Sequence, residues 1–127
     1  MTAPGWIASL VGDFGKAAGL SSLSLNWRGT AAIAFENGFG LRFEYVEGEL
    51  VVAVTVPAYL DATRAKALLA YAHPEARRGF RVRAGYLPRS GKAVFAVRIQ
   101  ERDVTLPMVN QAFAVLWRIA QEFGGER

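Results

Sequence analysis

The sequence predicts an α+β fold, a single domain over residues 1–127 in which helices pack an antiparallel sheet, in the order α-β-β-β-α-β-β-α. Three observations lead there. Apolar residues recur at helical spacing near both ends of the chain and once in the middle. The stretches between them are rich in β-branched and aromatic residues. Hairpin-type turn signals separate those stretches: Asn37-Gly38, Glu47-Gly48 and Pro88-Arg89-Ser90-Gly91.

Taken in order, residues 6–18 place Trp6, Ile7, Leu10, Val11, Phe14 and Ala18 at helical spacing. Pro4 suits a first turn and Gly19 a C-terminal cap. Gly5, Gly12 and Gly15 oppose this helix by about 1 kcal/mol each relative to alanine, but the periodicity prevails. Strands follow at residues 31–36, 39–46 and 49–57. A middle helix within residues 61–78 has Asp61 as its N-cap, with Pro74 limiting its continuation. Residues 79–87 and 92–101 form a second hairpin. Thr105 caps a closing helix over residues 106–123, where Val109, Ala112, Phe113, Leu116, Ile119, Ala120 and Phe123 make one stripe.

Hairpin pairing assigns faces, because directly opposed residues share a face and alternate residues switch. A two-residue Asn37-Gly38 loop sets Ala34 opposite Leu41 and Ala32 opposite Phe43. The Glu47-Gly48 loop sets Phe43 opposite Val52 and Leu41 opposite Val54. Phe39, Leu41, Phe43, Tyr45, Leu50, Val52, Val54 and Val56 then gather on a core face. Ile33, Phe35, Val51 and Ala53 fall on the other face, beside Arg42 and Glu44. A sheet face turned to water is not expected to be so apolar, so Ile33, Phe35, Arg42, Val51 and Ala53 are candidate partner-binding residues. In the second hairpin Ala84 pairs with Phe95, Val82 with Val97 and Phe80 with Ile99. This turns Arg81, Arg83 and Arg98 outward, with Arg81 opposite Arg98.

Fifteen Lys plus Arg against eleven Asp plus Glu leave a formal charge of +4. Six of the basic residues (Arg77, Arg78, Arg81, Arg83, Arg89 and Lys92) lie in one stretch without an acidic residue, and the rest of the chain is slightly acidic. That stretch is a solvated face or a contact for an acidic partner. Arg78-Gly79-Phe80 matches the start of an RNA-recognition strand signature, but Arg81 and Val82 break it and Phe80 is expected to face inward. Nucleic acid is therefore not the expected partner. The single histidine, His73, and the scattered Asp13, Asp61 and Asp103 offer no catalytic or metal-ligand set, and no cofactor site is expected. The chain has no cysteine, no bilayer-length apolar run and no signal-peptide pattern, so a cytoplasmic protein without membrane contact is expected.

The stretch "DFGKAAGLSSLSLNWRGTAAIAFENG" resembles the small type III secretion chaperones that bind single effectors. Phe14-Gly15 and Ala18-Gly19-Leu20 fill that family's helix end, and Leu23 and Leu25 fill its Leu-x-Leu pair. Gly29 matches, Ile33 and Phe35 take the first-strand apolar positions, and Asn26 stands where an acid is usual. The closing Leu- and aromatic-rich helix with its Trp117-Arg118 is similar too. The resemblance implies a cytoplasmic, ATP-independent chaperone that keeps the N-terminal segment of a secreted effector secretion-competent. It also implies a homodimer formed by the middle helix and the next strand, here Leu68, Leu69, Tyr71 and Ala72 with Phe80, Val82 and Ala84. A sequence pI near 9.9 departs from the family's usual acidity and leaves open a heterodimer with an acidic chaperone. The alternative is a basic α+β adaptor binding an acidic protein or nucleic acid.

Overall fold

The computed structural model describes residues 2–71, 76, 77 and 79–125. Helix α1 (Gly5–Ala17) buries Ile7, Val11, Phe14 and Gly15. Gly15 serves a close approach: a Cβ there would lie 2.7 Å from the Leu20 carbonyl oxygen and 2.9 Å from Leu23 Cβ. The chain turns back at Gly19, whose φ is +77°. It reaches the sheet through a turn organised by Asn26, whose Oδ1 accepts from the amides of Arg28 and Thr30 and from the Thr30 hydroxyl at 2.9–3.0 Å. An acid at this position would accept the same bonds.

Strands β1 (Thr30–Ala34), β2 (Gly40–Val46) and β3 (Glu49–Pro57) form an antiparallel meander. Helix α2 (Ala62–Tyr71) starts at Asp61, whose Oδ1 accepts from the Arg64 amide at 2.8 Å. Two short strands, β4 (Ala76–Arg77) and β5 (Phe80–Arg81), pair with each other. Strands β6 (Arg83–Leu87) and β7 (Lys92–Gln100) make the second hairpin, and a 3-10 turn (Glu101–Asp103) leads into α3 (Leu106–Gly125). The five-stranded sheet has the order β1-β2-β3-β7-β6, with every neighbouring pair antiparallel. The predicted α-β-β-β-α-β-β-α order holds, with the β4–β5 pair added.

Ring contacts place all three helices on one face. Phe14 of α1 meets Phe43 at 5.5 Å, Tyr71 of α2 meets Phe95 at 5.6 Å, and Phe123 of α3 meets Phe95 at 5.6 Å, all edge-to-face. The predicted α3 stripe is buried except for Phe113, which is half-buried.

Two expectations about pairing need correction. Asn37-Gly38 does not form a two-residue loop. The Gly38 amide bonds the Phe35 carbonyl at 3.0 Å and the Phe35 amide bonds the Phe39 carbonyl at 2.8 Å. Gly38 has φ +89°. This is a three-residue loop, a type I turn closed by a left-handed glycine. The odd length shifts β1 by one residue, so Ile33 opposes Leu41 and Ala32 opposes Arg42. Ile33 and Phe35 therefore lie on the helix side, and Ala32 and Ala34 face outward. At Glu47-Gly48, by contrast, both residues have positive φ (+50° and +78°), the two-residue hairpin geometry, and Phe43 opposes Val52 as expected.

The second correction concerns residues 79–87, which are not one strand. The pairing of Ala84 with Phe95 is as expected, but β6 starts at Arg83. Arg81 opposes Ala76 in the small β4–β5 sheet rather than Arg98. Arg98 lies beside Val51 of β3.

Candidate partner-binding surfaces

Among the described residues no helix packs on the outer face of the sheet. Cross-strand registers order that face into rows. One row runs Ala34, Gly40, Thr55, Val94, Gly85, and the next runs Ala32, Arg42, Ala53, Ala96, Arg83. A third holds Thr30, Glu44, Val51 and Arg98. The centre is thus floored by small side chains, and an open depression of about 480 Å³ lies toward the end of the face that carries the β1–β2 and β6–β7 loops, with Ala34, Gly40, Thr55, Arg42, Leu87 and Lys92 among its lining residues. A Cβ at Gly40 would sit 2.6 Å from Thr55 Oγ1, so a larger residue there would have to turn the Thr55 side chain aside.

Strand β1 is an edge strand. Since Phe35 bonds inward to Phe39, the alternation of an antiparallel ladder turns the backbone groups of Ala32 and Ala34 away from β2. Those of Thr30 are occupied, its carbonyl by the Asn26 amide at 2.8 Å and its amide by Asn26 Oδ1 at 3.0 Å. Beside this open edge, Trp117 of α3 packs edge-on against Phe35 at 4.9 Å and Phe39 at 5.0 Å. Trp117 continues through Phe113 to Phe14 in the core. Phe35, Phe39, Phe113 and Trp117 are all half-buried, giving an aromatic ledge beneath β1.

The candidate residues from the sequence scatter over three places. Ile33 and Phe35 belong to the ledge side. Arg42, Val51, Ala53, Arg83 and Arg98 share the outer face. Arg42 lies 3.8 Å from Glu44, and Arg98 lies 3.5 Å from Glu49. Arg81 is exposed on the separate β4–β5 pair. Among the proposed dimer contacts, Leu68, Phe80 and Val82 are buried within the chain, Tyr71 and Ala84 are half-buried, and Leu69 is 71% exposed. Ala72 lies outside the described residues. Trp117 was missed as a surface residue, although its i, i+4 spacing from Phe113 was a usable signal. Trp27, 72% exposed with the Arg28 guanidinium 4.8 Å from its ring centroid, carries no periodic signal.

The Tyr45 side chain reaches from β2 to the 3-10 turn. Its hydroxyl donates to Glu101, and that hydrogen bond, then burial, then repulsion from the same carboxylate raise its pKa above the usual 10. Among the described residues no group of His, Asp or Glu is placed to hold a metal ion, and no helix is long and apolar enough to cross a membrane.

Known structures share this fold. A chain of the ExsC–ExsE complex superposes with a TM-score of 0.77 at 19% identity, over 98% of this chain and 95% of that one. A chain of the HopA1–SchA chaperone–effector complex gives 0.74 at 20% identity, over 94% and 93%. The Yersinia pestis type III secretion chaperone SycH in complex with a fragment of YscM2 gives 0.69 at 14% identity, over 91% and 98%. No curated protein sequence matches significantly. At the level of sequence families, the description "Type III secretory system chaperone SycN" matches residues 6–124. That span takes in the Leu23–Gly29 turn, the whole sheet and nearly all of α3, and the chain belongs to this type III secretion chaperone family.

Proposed function

We propose that this chain holds an N-terminal segment of a type III secreted effector in extended form, without ATP, and that it does so as one domain in the bacterial cytoplasm. The observation that carries the reading is the open edge of β1 lying directly above the aromatic ledge. Backbone groups of Ala32 and Ala34 are free to pair an added strand, and the ledge offers half-buried apolar surface for its side chains. Strand addition and apolar pockets together are a known mode of peptide recognition. The solved complexes of chaperones with effectors or protein fragments support the same use of the fold. Ile33 and Phe35 remain contact residues in this proposal, now from the ledge side. A homodimer through exposed Leu69 and its neighbours is part of it, and the basic β5–β7 region admits an acidic chaperone as the second subunit instead.

The test is co-expression with an effector encoded beside this chain, followed by limited proteolysis of the purified complex. Protection of an N-terminal effector segment is expected, and Phe35→Asp should abolish it while the circular dichroism spectrum stays unchanged. An effector digested equally fast with and without the chain would refute the proposal.

A further inference from the structure

The outer depression is not used by a strand added to β1, and its chemistry differs from that of the ledge. Among the described residues the outer face presents no aromatic side chain. Its floor is small, and its cations are unevenly placed. On the β1–β2 side Arg42 is balanced by Glu44, and on β3 Glu49 meets Arg98. On the β6–β7 side Arg83 and Lys92 make no ion pair with any described residue. The Arg42–Glu44 pair is a long contact between side chains 53% and 41% exposed. Such pairs contribute little and exchange partners readily.

We propose that this depression and the cations around it seat an extended acidic segment of a polypeptide, separate from the segment that pairs with β1. The assignment rests on the chaperone reading only in taking that segment to come from the same cargo. Small residues at Ala34, Gly40 and Thr55 let a backbone approach the sheet closely. Lys92 and Arg83 then meet carboxylates on one side of the segment, and Arg42 can turn from Glu44 to meet one on the other. Nucleic acid fits less well. Single strands need aromatic surfaces for stacking, and the outer face offers none among the described residues.

The experiment measures binding by fluorescence anisotropy of a labelled peptide of alternating glutamate and alanine. About ten residues suffice, since at ~3.3 Å per residue they exceed the width of a five-stranded sheet. Wild-type protein should bind it at ~50 mM salt and more weakly at ~150 mM, where charges are screened beyond about 8 Å. Arg83→Glu/Lys92→Glu should weaken binding by roughly tenfold, chiefly through slower association, with Arg83→Gln/Lys92→Gln intermediate. Phe35→Asp should bind the peptide like wild type. The proposal fails if wild type does not bind, if a lysine-for-glutamate peptide binds equally, or if the charge-reversed protein is unchanged. It also fails if an oligo-dT strand displaces the peptide at lower concentration. Loss of effector protection in Phe35→Asp tests the ledge alone, so either proposal can fall while the other stands.

Discussion

At Gly12 and Gly15 of α1 the same substitution has opposite expected signs. A Cβ at Gly12 meets nothing within 4 Å, whereas one at Gly15 meets a backbone oxygen and Leu23. Gly12→Ala should raise stability by about 1 kcal/mol through helix propensity alone. Gly15→Ala should lower it by about 1–3 kcal/mol, because packed backbone cannot yield as a flexible side chain can. Thermal melts of the two variants check both signs. Tyr45 gives a pH test. Its raised pKa means the folded state keeps the hydroxyl proton to higher pH than the unfolded chain. The contribution is complete below about pH 10 and is lost as pH rises through the folded value. Wild type should therefore lose stability more steeply than Tyr45→Phe above pH 10 in denaturant titrations.

The β1–β2 hairpin shows how one loop residue decides the chemistry of a strand. Gly38 holds φ +89°, and a Cβ there would press on Pro57 at 3.1 Å. Gly38→Ala should cost more than about 1 kcal/mol, since both the conformation and the space exclude a side chain. On β1 itself, proline at Ala32 removes only an outward-facing donor, which an edge strand tolerates. Ala32→Pro should leave the fold intact, by its circular dichroism melt, and weaken effector binding by removing a backbone hydrogen bond. An Asn-Gly pair is compatible with a two-residue loop and with the end of a three-residue one, and Ala31, Ala32 and Ala34 fit either face. The register was therefore illegible locally. The packing of Phe35 against Trp117, which lies 82 positions further along the chain, coincides with the register actually adopted.

Across the whole molecule, three helices on one face of the sheet leave the other face, the β1 edge and Leu69 of α2 at the surface. A dimer through α2 should be seen by light scattering at ~100 μM, well above micromolar affinities. Leu69→Glu should then yield a monomer with an unchanged spectrum, because Leu69 contributes little to its own chain's core.

The sequence by itself determined the order of elements, the core stripe of α3, the caps at Asp61 and Thr105, and the two hairpins whose loops admitted one length. Each is a local matter, set by periodicity, capping chemistry and turn residues within a few positions. Tertiary structure alone decided which side of β1 carries Ile33 and Phe35, the break before Arg83 that takes Arg81 away from Arg98, and the ledge formed by Trp117. The side of β1 and the ledge depend on contacts between residues far apart in the chain, and the break before Arg83 goes with the β4–β5 pair, in which Arg81 opposes Ala76. Local propensities leave the alternatives close in energy there, and burial against α3 and β7 separates them.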